Sequence, residues 1–475
     1  MHGSVKSRLT RASLSLARNS STSSSSEGTI KNSGAKNSSI LLRAQLDIND
    51  IISRPQIYKD SVTRRHLPLN LISDIDFITQ NRPLQASHLA TINALKRERK
   101  DITANLNNTQ EKDGVMSRLK QIKSELQPLE KQLRDLQELI YAKAEDLPNL
   151  LDESVPRDSQ TDEVVSYINM DPEEAQTISP AGARDHRSIG EELGILDFVT
   201  ASRVSGSSWY YMLGDGALLE QALVQYALSR ARQRDYKMIT PPSVVKSEIV
   251  QACGFKPQDQ NNEKQIYQIE DEPLSLCGTA EIPMGAFHSS TIFPSGTQFP
   301  LKYVGVSRSY RAEAGASGKD TRGLYRVHEF TKVELFHFTK PRDAQRELDQ
   351  IRDFQIDLVR SLGIQARVLN MSSADLGAPA MKKYDIEAWM PGRGSWGEIT
   401  SSSNCGTYQA RRLGTRYHDH QDRVAHVATL NGTCMAVPRV LVALIEQNYD
   451  PVANVVRVPS VLWPYMDGKE VIAKN

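Results

Sequence analysis

Cysteine is scarce in this chain of 475 residues, which contains only four. They are Cys253, Cys277, Cys405 and Cys434, and they are scattered along the sequence. Scattered cysteines neither build a disulfide scaffold nor supply the close CxxC pairs of a structural zinc site. We therefore expect reduced thiols with mostly structural roles, and we expect no bound zinc.

Long apolar runs are missing as well. No stretch approaches the roughly 20 apolar residues that a helix needs to cross a bilayer, so we expect no membrane span.

The formal net charge is +1, which neither supports nor excludes nucleic acid as a partner, because phosphates require only a local basic patch. The length exceeds that of one ordinary domain, so we expect two folded domains and a tail.

Acidic residues are nearly absent from residues 1–45, where Glu27 is the only one. The same segment carries several arginines and lysines and a serine-rich tract at 20–26. This composition is typical of a transit peptide, and an apolar helical face with arginines on another face suits mitochondrial import. We predict a mitochondrial transit peptide over 1–45 and a location in the mitochondrial matrix. An ordinary disordered tail and a plastid signal are the alternatives.

Helical periodicity dominates residues 84–147. Turn-forming pairs at 107–108 and 113–114 predict a reversal, so the two halves should form an antiparallel helical hairpin, with a kink at Pro128. Periodicity alone favours a dimerisation or spacer element, although basic residues on both halves are compatible with phosphate contact. In the second half the apolar residues alternate spacings of three and four, as in a coiled-coil seam: Leu119, Ile122, Leu126, Leu129, Leu133, Leu136 and Ile140.

Period-two alternation predicts a β-hairpin over residues 310–334, with a glycine-containing loop at 314–323. Arginine binds phosphate through a fixed fork of donors. Phe330 offers an apolar face to a flat ring, and Glu334 offers a countercharge to an amine. Charged residues on a strand more often form a solvated outer face, so alternation alone leaves both interpretations open. The side chains that share one parity are Arg311 and Glu313 on the first strand and Arg326, Phe330 and Glu334 on the second.

Two further segments carry polar side chains that are able to contact a ligand. In Cys-Gly-Thr-Ala-Glu at 277–281, Thr279 and Glu281 can supply a hydroxyl and a carboxylate, although a simple turn is the alternative when the segment is taken alone. In the segment 397–404, Glu398 and Ser401 offer hard oxygen ligands. Such ligands suit Mg²⁺ that bridges nucleotide phosphates.

The hairpin sequence resembles motif 2 of the seryl-tRNA synthetases, which are class II aminoacyl-tRNA synthetases. The resemblance is carried by YRAEAG at 310–315, GKD at 318–320 and RVHEF at 326–330. It extends from about residue 67 to about residue 465.

Other segments support the same resemblance. GDGALLE at 214–220, followed by TPP at 240–242, is similar to motif 1, which in this class forms a dimer interface and so implies a homodimer. GEITSSSN at 397–404 with Pro438 and Arg439 is similar to motif 3.

The resemblance implies an α+β fold. A mainly antiparallel catalytic sheet should be flanked by helices, with an antiparallel coiled-coil arm at the amino-terminal end. The implied division is a tRNA-binding domain over 46–150, with its arm at about 84–147, a linker over 151–181 and a catalytic domain over 182–475.

The resemblance also implies the reaction, in which serine and Mg-ATP form seryl-adenylate and the seryl group passes to the terminal ribose of tRNA(Ser). Arg311 and Arg439 would be the catalytic residues, and Glu398 and Ser401 would hold Mg²⁺. The implied serine-binding residues are Thr279, Ala280, Glu281, Glu334 and Thr433. The implied ATP-binding residues are Arg311, Ala312, Glu313, Arg326, Val327, His328, Glu329, Phe330, Glu398, Ile399, Thr400, Ser401 and Arg439.

A synthetase-derived protein without catalysis, serving as a tRNA-binding or structural partner, is the alternative. Loss of catalysis would remove charged residues from the motifs, but those residues are retained. Another class II synthetase is disfavoured by the arm together with the sequence at 279–281. We therefore expect an active enzyme that uses ATP, L-serine and tRNA(Ser).

Overall fold

The computed structural model describes residues 43–105, 112–157, 161–178, 183–256, 265–313 and 323–474. Nearly all of the predicted transit peptide and of the predicted hairpin loop lies outside these residues. All four cysteines are buried free thiols, as expected for reduced cysteines with structural roles. Within the described ranges, no helix combines the length and the apolarity of a membrane span.

The amino-terminal region is helical, and its two long helices run antiparallel. Near one end Arg118 pairs with Glu98 at 2.7 Å, and near the other Lys143 pairs with Asp74. The predicted helical hairpin is therefore confirmed, and its first helix begins before residue 84. The helices are α1 (Ile48–Ser53), α2 (Pro55–Arg64), α3 (Asn70–Asn105) and α4 (Lys112–Glu145).

The predicted seam holds the long helices together. Ile122, Leu126, Leu133 and Ile140 are buried, as the alternation of three and four requires for one helix face packed on another. Pro128 lies inside α4, and the helix continues on both sides of it from Lys112 to Glu145. Of the two predicted reversal pairs, 113–114 lies inside α4 and 107–108 lies outside the described residues.

The rest of the described chain contains nine α-helices interspersed with 18 strands, several of which follow one another directly. The helices are α5 (Pro172–Thr177), α6 (His186–Glu192), α7 (Phe198–Ser205), α8 (Gly214–Arg232), α9 (Ser247–Ala252), α10 (Glu281–Gly285), α11 (Ala344–Ser361), α12 (Tyr408–Leu413) and α13 (Val437–Gln447). The strands are β1 (Glu163–Ile168), β2 (Leu196–Asp197), β3 (Tyr211–Met212), β4 (Lys237–Ile239), β5 (Val244–Lys246), β6 (Leu274–Leu276), β7 (Ile292–Phe293), β8 (Leu301–Tyr310), β9 (Glu329–Thr339), β10 (Ala366–Asn370), β11 (Lys382–Met390), β12 (Ser395–Asn404), β13 (Arg416–His418), β14 (Val424–His426), β15 (Ala428–Ala436), β16 (Tyr449–Asp450), β17 (Val455–Arg457) and β18 (Val471–Ile472).

An eight-stranded sheet in the order β1-β10-β11-β12-β15-β9-β8-β4 forms the centre of this region. Every neighbouring pair is antiparallel except β4 and β8, which are parallel. The α+β fold with a mainly antiparallel sheet is confirmed.

The edge strand of this sheet comes from the predicted linker, residues 151–181. Strand β1 pairs with β10 from Glu163 to Ile168, and Ile168 is buried. The prediction of a connecting linker is wrong for this strand, because its backbone hydrogen bonds make it part of the sheet. The segment reads as polar and acidic, and an edge strand with one exposed face allows that composition.

The two faces of the sheet have different roles. Helices α8, α11 and α13 pack against one face, where Val333 and Leu335 of β9 are fully buried in a large apolar cluster. Alternation sends Lys332 and Glu334 to the opposite face. The helix-covered face thus holds the larger core, and the opposite face carries Lys332 and Glu334, followed along β9 by a smaller apolar cluster that includes Phe336 and Phe338.

Candidate active site

The predicted hairpin forms, but its strands are shorter than expected. Strand β8 ends at Tyr310, which pairs with Glu329 at the start of β9. Arg311, Glu313 and Arg326 therefore lie in the connecting segments, and the prediction that they occupy the strands is wrong. Glu313 has a φ of 45°, a left-handed conformation that cannot continue an extended strand.

A buried polar cluster lies on the open face of β9. Lys332 Nζ is 2.6 Å from Glu334 Oε2 and donates a hydrogen bond of 3.1 Å to Thr279 Oγ1. The Thr279 hydroxyl donates to Glu334 Oε2 at 3.1 Å. Thr433 of β15 faces Glu334 across the ladder, so both side chains project from the same face. The structure therefore brings Thr279, Glu334 and Thr433 together.

Lys332 is the residue of this cluster that the sequence interpretation omitted. It lies two positions from both Phe330 and Glu334, so period-two alternation was sufficient to place it on the same face. Its side chain is one-tenth exposed, and its ammonium group lies beside a carboxylate whose side chain is almost fully buried.

Glu281 donates its backbone N–H to Thr279 Oγ1 at 3.2 Å, but its carboxylate forms its hydrogen bond outside this polar cluster. Its Oε1 accepts a hydrogen bond of 2.7 Å from Gln409 Nε2, and Gln409 Oε1 accepts another of 2.7 Å from Thr429. Ala280 is buried in an apolar cluster next to it. Burial, reinforced by the charge of Glu334, raises the pKa of Glu281 to about 7.

Arg311 lies over the ring of Phe330. Its guanidinium carbon is 5.2 Å from the ring centroid, and its Nε donates to the Gly278 carbonyl at 3.4 Å. Burial, together with the positive charge of Arg439, lowers the pKa of Arg311. Arg311 thus joins the segment at 277–281 to the start of β9, in a region where positive charge has accumulated.

Arg439, in the first turn of α13, connects Glu398 of β12 with Tyr325. Its Nη1 donates to the carbonyl and to Oε2 of Glu398, each at 3.1 Å. Its Nε donates to the Tyr325 carbonyl at 3.3 Å. The Tyr325 ring contacts two guanidinium groups, with carbon-to-centroid distances of 4.7 Å for Arg439 and 4.0 Å for Arg393. Tyr325 and Arg393 are further site residues that the sequence interpretation did not single out.

Glu398 and Ser401 share the open face of the sheet with a third oxygen donor, Asp385. Ser401 pairs with Asp385 across the β11–β12 ladder, and Lys383 Nζ donates to Asp385 Oδ2 at 2.7 Å. Asp385 Oδ1 is buried and has no hydrogen-bond partner within the described ranges. Burial opposes the ionisation of Glu398, but Lys383 and the nearby arginines outweigh it and lower its pKa.

Three of the implied ATP-binding residues direct their side chains elsewhere. Val327 is buried, Ile399 lies in the main apolar cluster, and the Thr400 hydroxyl donates to the Thr433 carbonyl. Only backbone groups of these residues can face a ligand.

Of the other implied ATP-binding residues, Glu329 shares the odd-numbered face of β9 with Thr331, whose hydroxyl donates to Glu220 of α8, so its carboxylate also points away from the polar cluster. Arg326 Nη1 is 3.7 Å from Glu313 Oε2, and Glu329 accepts from Arg308 at 2.9 Å. The His328 ring lies 5.6 Å from that of Trp209. Ala312 donates its backbone N–H to the Gln265 carbonyl at 3.2 Å.

The raised pKa of Glu281 predicts a specific pH dependence of stability. Between about pH 4.5 and pH 7 the folded chain binds more protons than the unfolded chain, so its stability falls as pH rises and levels off above pH 7, by at most about 1.4 kcal/mol per pH unit. Glu281→Gln retains the acceptor for Gln409 and removes this titration. The difference between the two unfolding midpoints, variant minus unmodified chain, should increase from pH 5 to pH 8. A difference that stays constant with pH would contradict this assignment.

The comparisons with known proteins agree with one another. Residues 266–448 match the tRNA synthetase class II core domain (G, H, P, S and T). The mitochondrial serine–tRNA ligase of Saccharomyces cerevisiae is 43% identical over 91% of this chain and 97% of its own length. The mitochondrial serine–tRNA ligase of Schizosaccharomyces pombe is 47% identical over 61% of each chain.

Solved structures extend this likeness to the fold. The crystal structure of seryl-tRNA synthetase from Pyrococcus horikoshii, complexed with ATP, matches with a TM-score of 0.82 and 32% identity over 90% of this chain and 100% of that one. Identity at this level over nearly the whole length, with the same fold and the motif residues in place, shows that the chain belongs to the serine–tRNA ligase family of class II aminoacyl-tRNA synthetases.

Proposed function

We propose that the chain activates serine with ATP and transfers the seryl group to the 3′-terminal ribose of tRNA(Ser) in the mitochondrial matrix. The buried cluster of Thr279, Lys332 and Glu334, with Arg311 and Arg439 on the same side of the sheet, is the observation that carries the proposal. The names of the two yeast relatives and the acid-poor segment 1–45 support the mitochondrial location.

The proposed first step is an attack by the serine carboxylate on the α-phosphorus of ATP, with release of pyrophosphate. Arg311 would neutralise charge that develops on the α-phosphoryl group, while Phe330 stacks on adenine and backbone groups of 327–329 contact its edge. Arg326 and Arg439 would hold the distal phosphates. These groups act by positioning the reactants and by stabilising charge, without a covalent enzyme intermediate.

Mg²⁺ would be held by Glu398 and Ser401, with Asp385 as an additional oxygen donor. The unpartnered Oδ1 of Asp385 and the two neighbouring oxygens fit a hard cation. Within the described ranges, no group of three or more histidine, cysteine or acidic residues could hold a metal by itself, so ATP phosphates and water would supply the remaining ligands. When bound, the ion supplies charge neutralisation and orients the phosphates.

Serine selection would depend on the charged cluster. Glu334 offers its carboxylate to the substrate ammonium group, and the hydroxyls of Thr279 and Thr433 lie on the same face. A site that hydrogen-bonds a substrate hydroxyl can reject the analogue that lacks it by on the order of 10⁴-fold, because buried polar groups are left unpaired. Alanine would be rejected in this way, and threonine by lack of space.

The helical arm would contact tRNA, and the catalytic region would form a homodimer. Exposed basic residues on the arm support the first proposal; Arg97, Arg99, Lys100, Lys120 and Lys123 are all exposed. Large apolar side chains in the motif 1 region support the second, since Met238 is 51% exposed and Tyr211 is 42% exposed. Exposed apolar patches of this kind mark protein interfaces. The domain limits 46–150 and 182–475 remain part of the proposal, with β1 at 163–168 added to the catalytic domain.

Aminoacylation tests the whole proposal. The purified chain, with ATP, Mg²⁺ and radiolabelled serine, should form acid-precipitable seryl-tRNA with mitochondrial tRNA(Ser) and should not charge mitochondrial tRNA for another amino acid. Failure with every mitochondrial tRNA(Ser), in a preparation with an intact fold, would refute it.

Replacement of Arg311 should abolish activation without unfolding the protein. Arg311→Ala removes a charge that the proposal places at the α-phosphate, and loss of one preorganised donor costs about 10²–10³-fold or more in rate. Serine-dependent ATP–pyrophosphate exchange measures the effect. Arg360→Ala, which removes a surface arginine paired with Asp357 on α11, serves as the control and should retain activity. Full exchange by Arg311→Ala would contradict the assigned role.

Replacement of Glu334 should weaken serine binding selectively. Glu334→Gln preserves size but loses the charge, and a charge-assisted hydrogen bond contributes about 1.5–3 kcal/mol. The KM for serine should rise by about ten-fold or more, with the KM for ATP changed by less than about three-fold. Glu347→Gln removes a buried carboxylate beside His337, a residue of opposite parity on β9, and is the matched control. An equal rise in both KM values would contradict serine recognition by Glu334.

A further inference from the structure

The side chain of His186 bridges three segments outside the proposed serine and phosphate contacts. His186 is the first residue of α6 and is mostly buried. Its Nδ1 lies 2.7 Å from Glu446 Oε1, and the Leu324 backbone N–H donates to its Nε2 at 3.0 Å. Since a backbone N–H can only donate, Nε2 must be the acceptor. The ring is therefore neutral, with its proton on Nδ1 donated to Glu446.

Glu446 ties this ring to the helix that carries Arg439. Its side chain is 1% exposed, and its carboxylate also accepts from the backbone N–H groups of His186 at 3.1 Å and Gly392 at 2.9 Å. Arg439 precedes it by seven residues, which is about two turns of α13, so both project from the same side of the helix. These hydrogen bonds to the Glu446 carboxylate thus fix α13 relative to the turn at Gly392.

The contact with Leu324 fixes the other wall of the same site. Leu324 is fully buried, and the next residue, Tyr325, gives its carbonyl to Arg439 and its ring to Arg439 and Arg393. Gly323 packs so tightly on the ring that a Cβ there would lie 2.2 Å from His186 Nε2. The position of Tyr325 is therefore set through one hydrogen bond and one close contact, both with His186.

We propose that His186 is a positioning residue for ATP, which aligns Tyr325 with Arg439 through the chain of contacts Glu446–His186–Leu324. The inference rests on the proposed function in that Arg439 is assigned to the distal phosphates. His186 lies behind the phosphate-binding arginine and acts through its neighbours. Its loss therefore weakens the binding of ATP and leaves the serine cluster on β9 unchanged.

Two substitutions of similar size separate the two bonds of the ring. In His186→Gln the amide oxygen reaches the position of Nε2 and accepts from Leu324, whereas in His186→Asn the shorter amide occupies the position of Nδ1 and leaves the Leu324 N–H without an acceptor. A buried N–H that loses its acceptor is destabilising, so the segment at Leu324 should shift to find another partner. The Asn variant should bind ATP on the order of tenfold more weakly than the unmodified chain, and the Gln variant should stay within about threefold of it.

The experiment measures the dissociation constant of Mg-ATP by calorimetry and, separately, the KM values for ATP and serine in pyrophosphate exchange. The expected result is a weaker ATP affinity in His186→Asn, recovery in His186→Gln, and an unchanged KM for serine in both. Asp185→Ala removes the side-chain cap of the same helix, which accepts from the Ser188 N–H at 2.7 Å. This control should lower the thermal midpoint without changing ATP affinity.

Two results would overturn the inference: a Gln variant that binds ATP no better than the Asn variant, or a KM for serine that rises as much as the KM for ATP. Gly323→Ala provides a second route, because it displaces the ring without altering it and should reproduce the ATP defect. Calorimetry without serine separates this inference from the proposed function, since ATP binding can be altered in the variants even if serine drives no exchange.

Discussion

The strict alternation of side chains along β9 is the constraint on which this site depends. Its odd-numbered residues, such as Val333 and Leu335, pack into the apolar cluster beneath α8, α11 and α13. Its even-numbered residues, such as Lys332 and Glu334, face the opposite side. A slip of one residue in register would move both charges into this apolar cluster and place Val333 and Leu335 among the polar groups. The neighbouring strands in the ladder, β8 and β15, hold that register from both sides.

Charges on the open face are balanced in pairs, each with a cation beside a carboxylate. Lys332 faces Glu334, Arg439 faces Glu398, and Lys383 faces Asp385. Each carboxylate is mostly or partly buried, so removal of its partner would leave a charge with little compensation. Ligands with groups of opposite sign, such as an amino acid and a nucleotide, can enter this arrangement by exchanging partners within it. This explains how so many charges remain on a face that is partly closed to water.

Much of the fold could be predicted from the sequence, because the signals were periodic. The seam at Ile122, Leu126 and Leu133 follows from spacing alone, and Phe330 and Glu334 share a strand face as alternation requires. Periodicity does not reveal where a strand ends. Arg311 and Arg326 lie beyond the end of the ladder at Tyr310 and Glu329, and no alternation rule identifies the left-handed conformation of Glu313 that follows.

Long-range contacts were the part that the sequence could not provide. Glu281 was expected to face the substrate, yet its carboxylate bonds Gln409, which is 128 residues away. His186, which belongs to no predicted motif, meets Leu324 of the predicted hairpin across 138 residues. Strand β1 joins the sheet from within a polar, acidic segment that reads as a linker, although the strand itself, EVVSYI at 163–168, is rich in β-branched and aromatic residues.

Adenylate formation at this site is best tested by pyrophosphate exchange with each of the twenty amino acids, because the assay needs only ATP, Mg²⁺ and the purified chain. Serine should drive exchange, and alanine should drive it less by on the order of 10⁴-fold. Exchange driven by a different amino acid would contradict the assignment of the cluster around Glu334. Exchange with none of the amino acids would contradict the assignment of the site as a centre of adenylate formation.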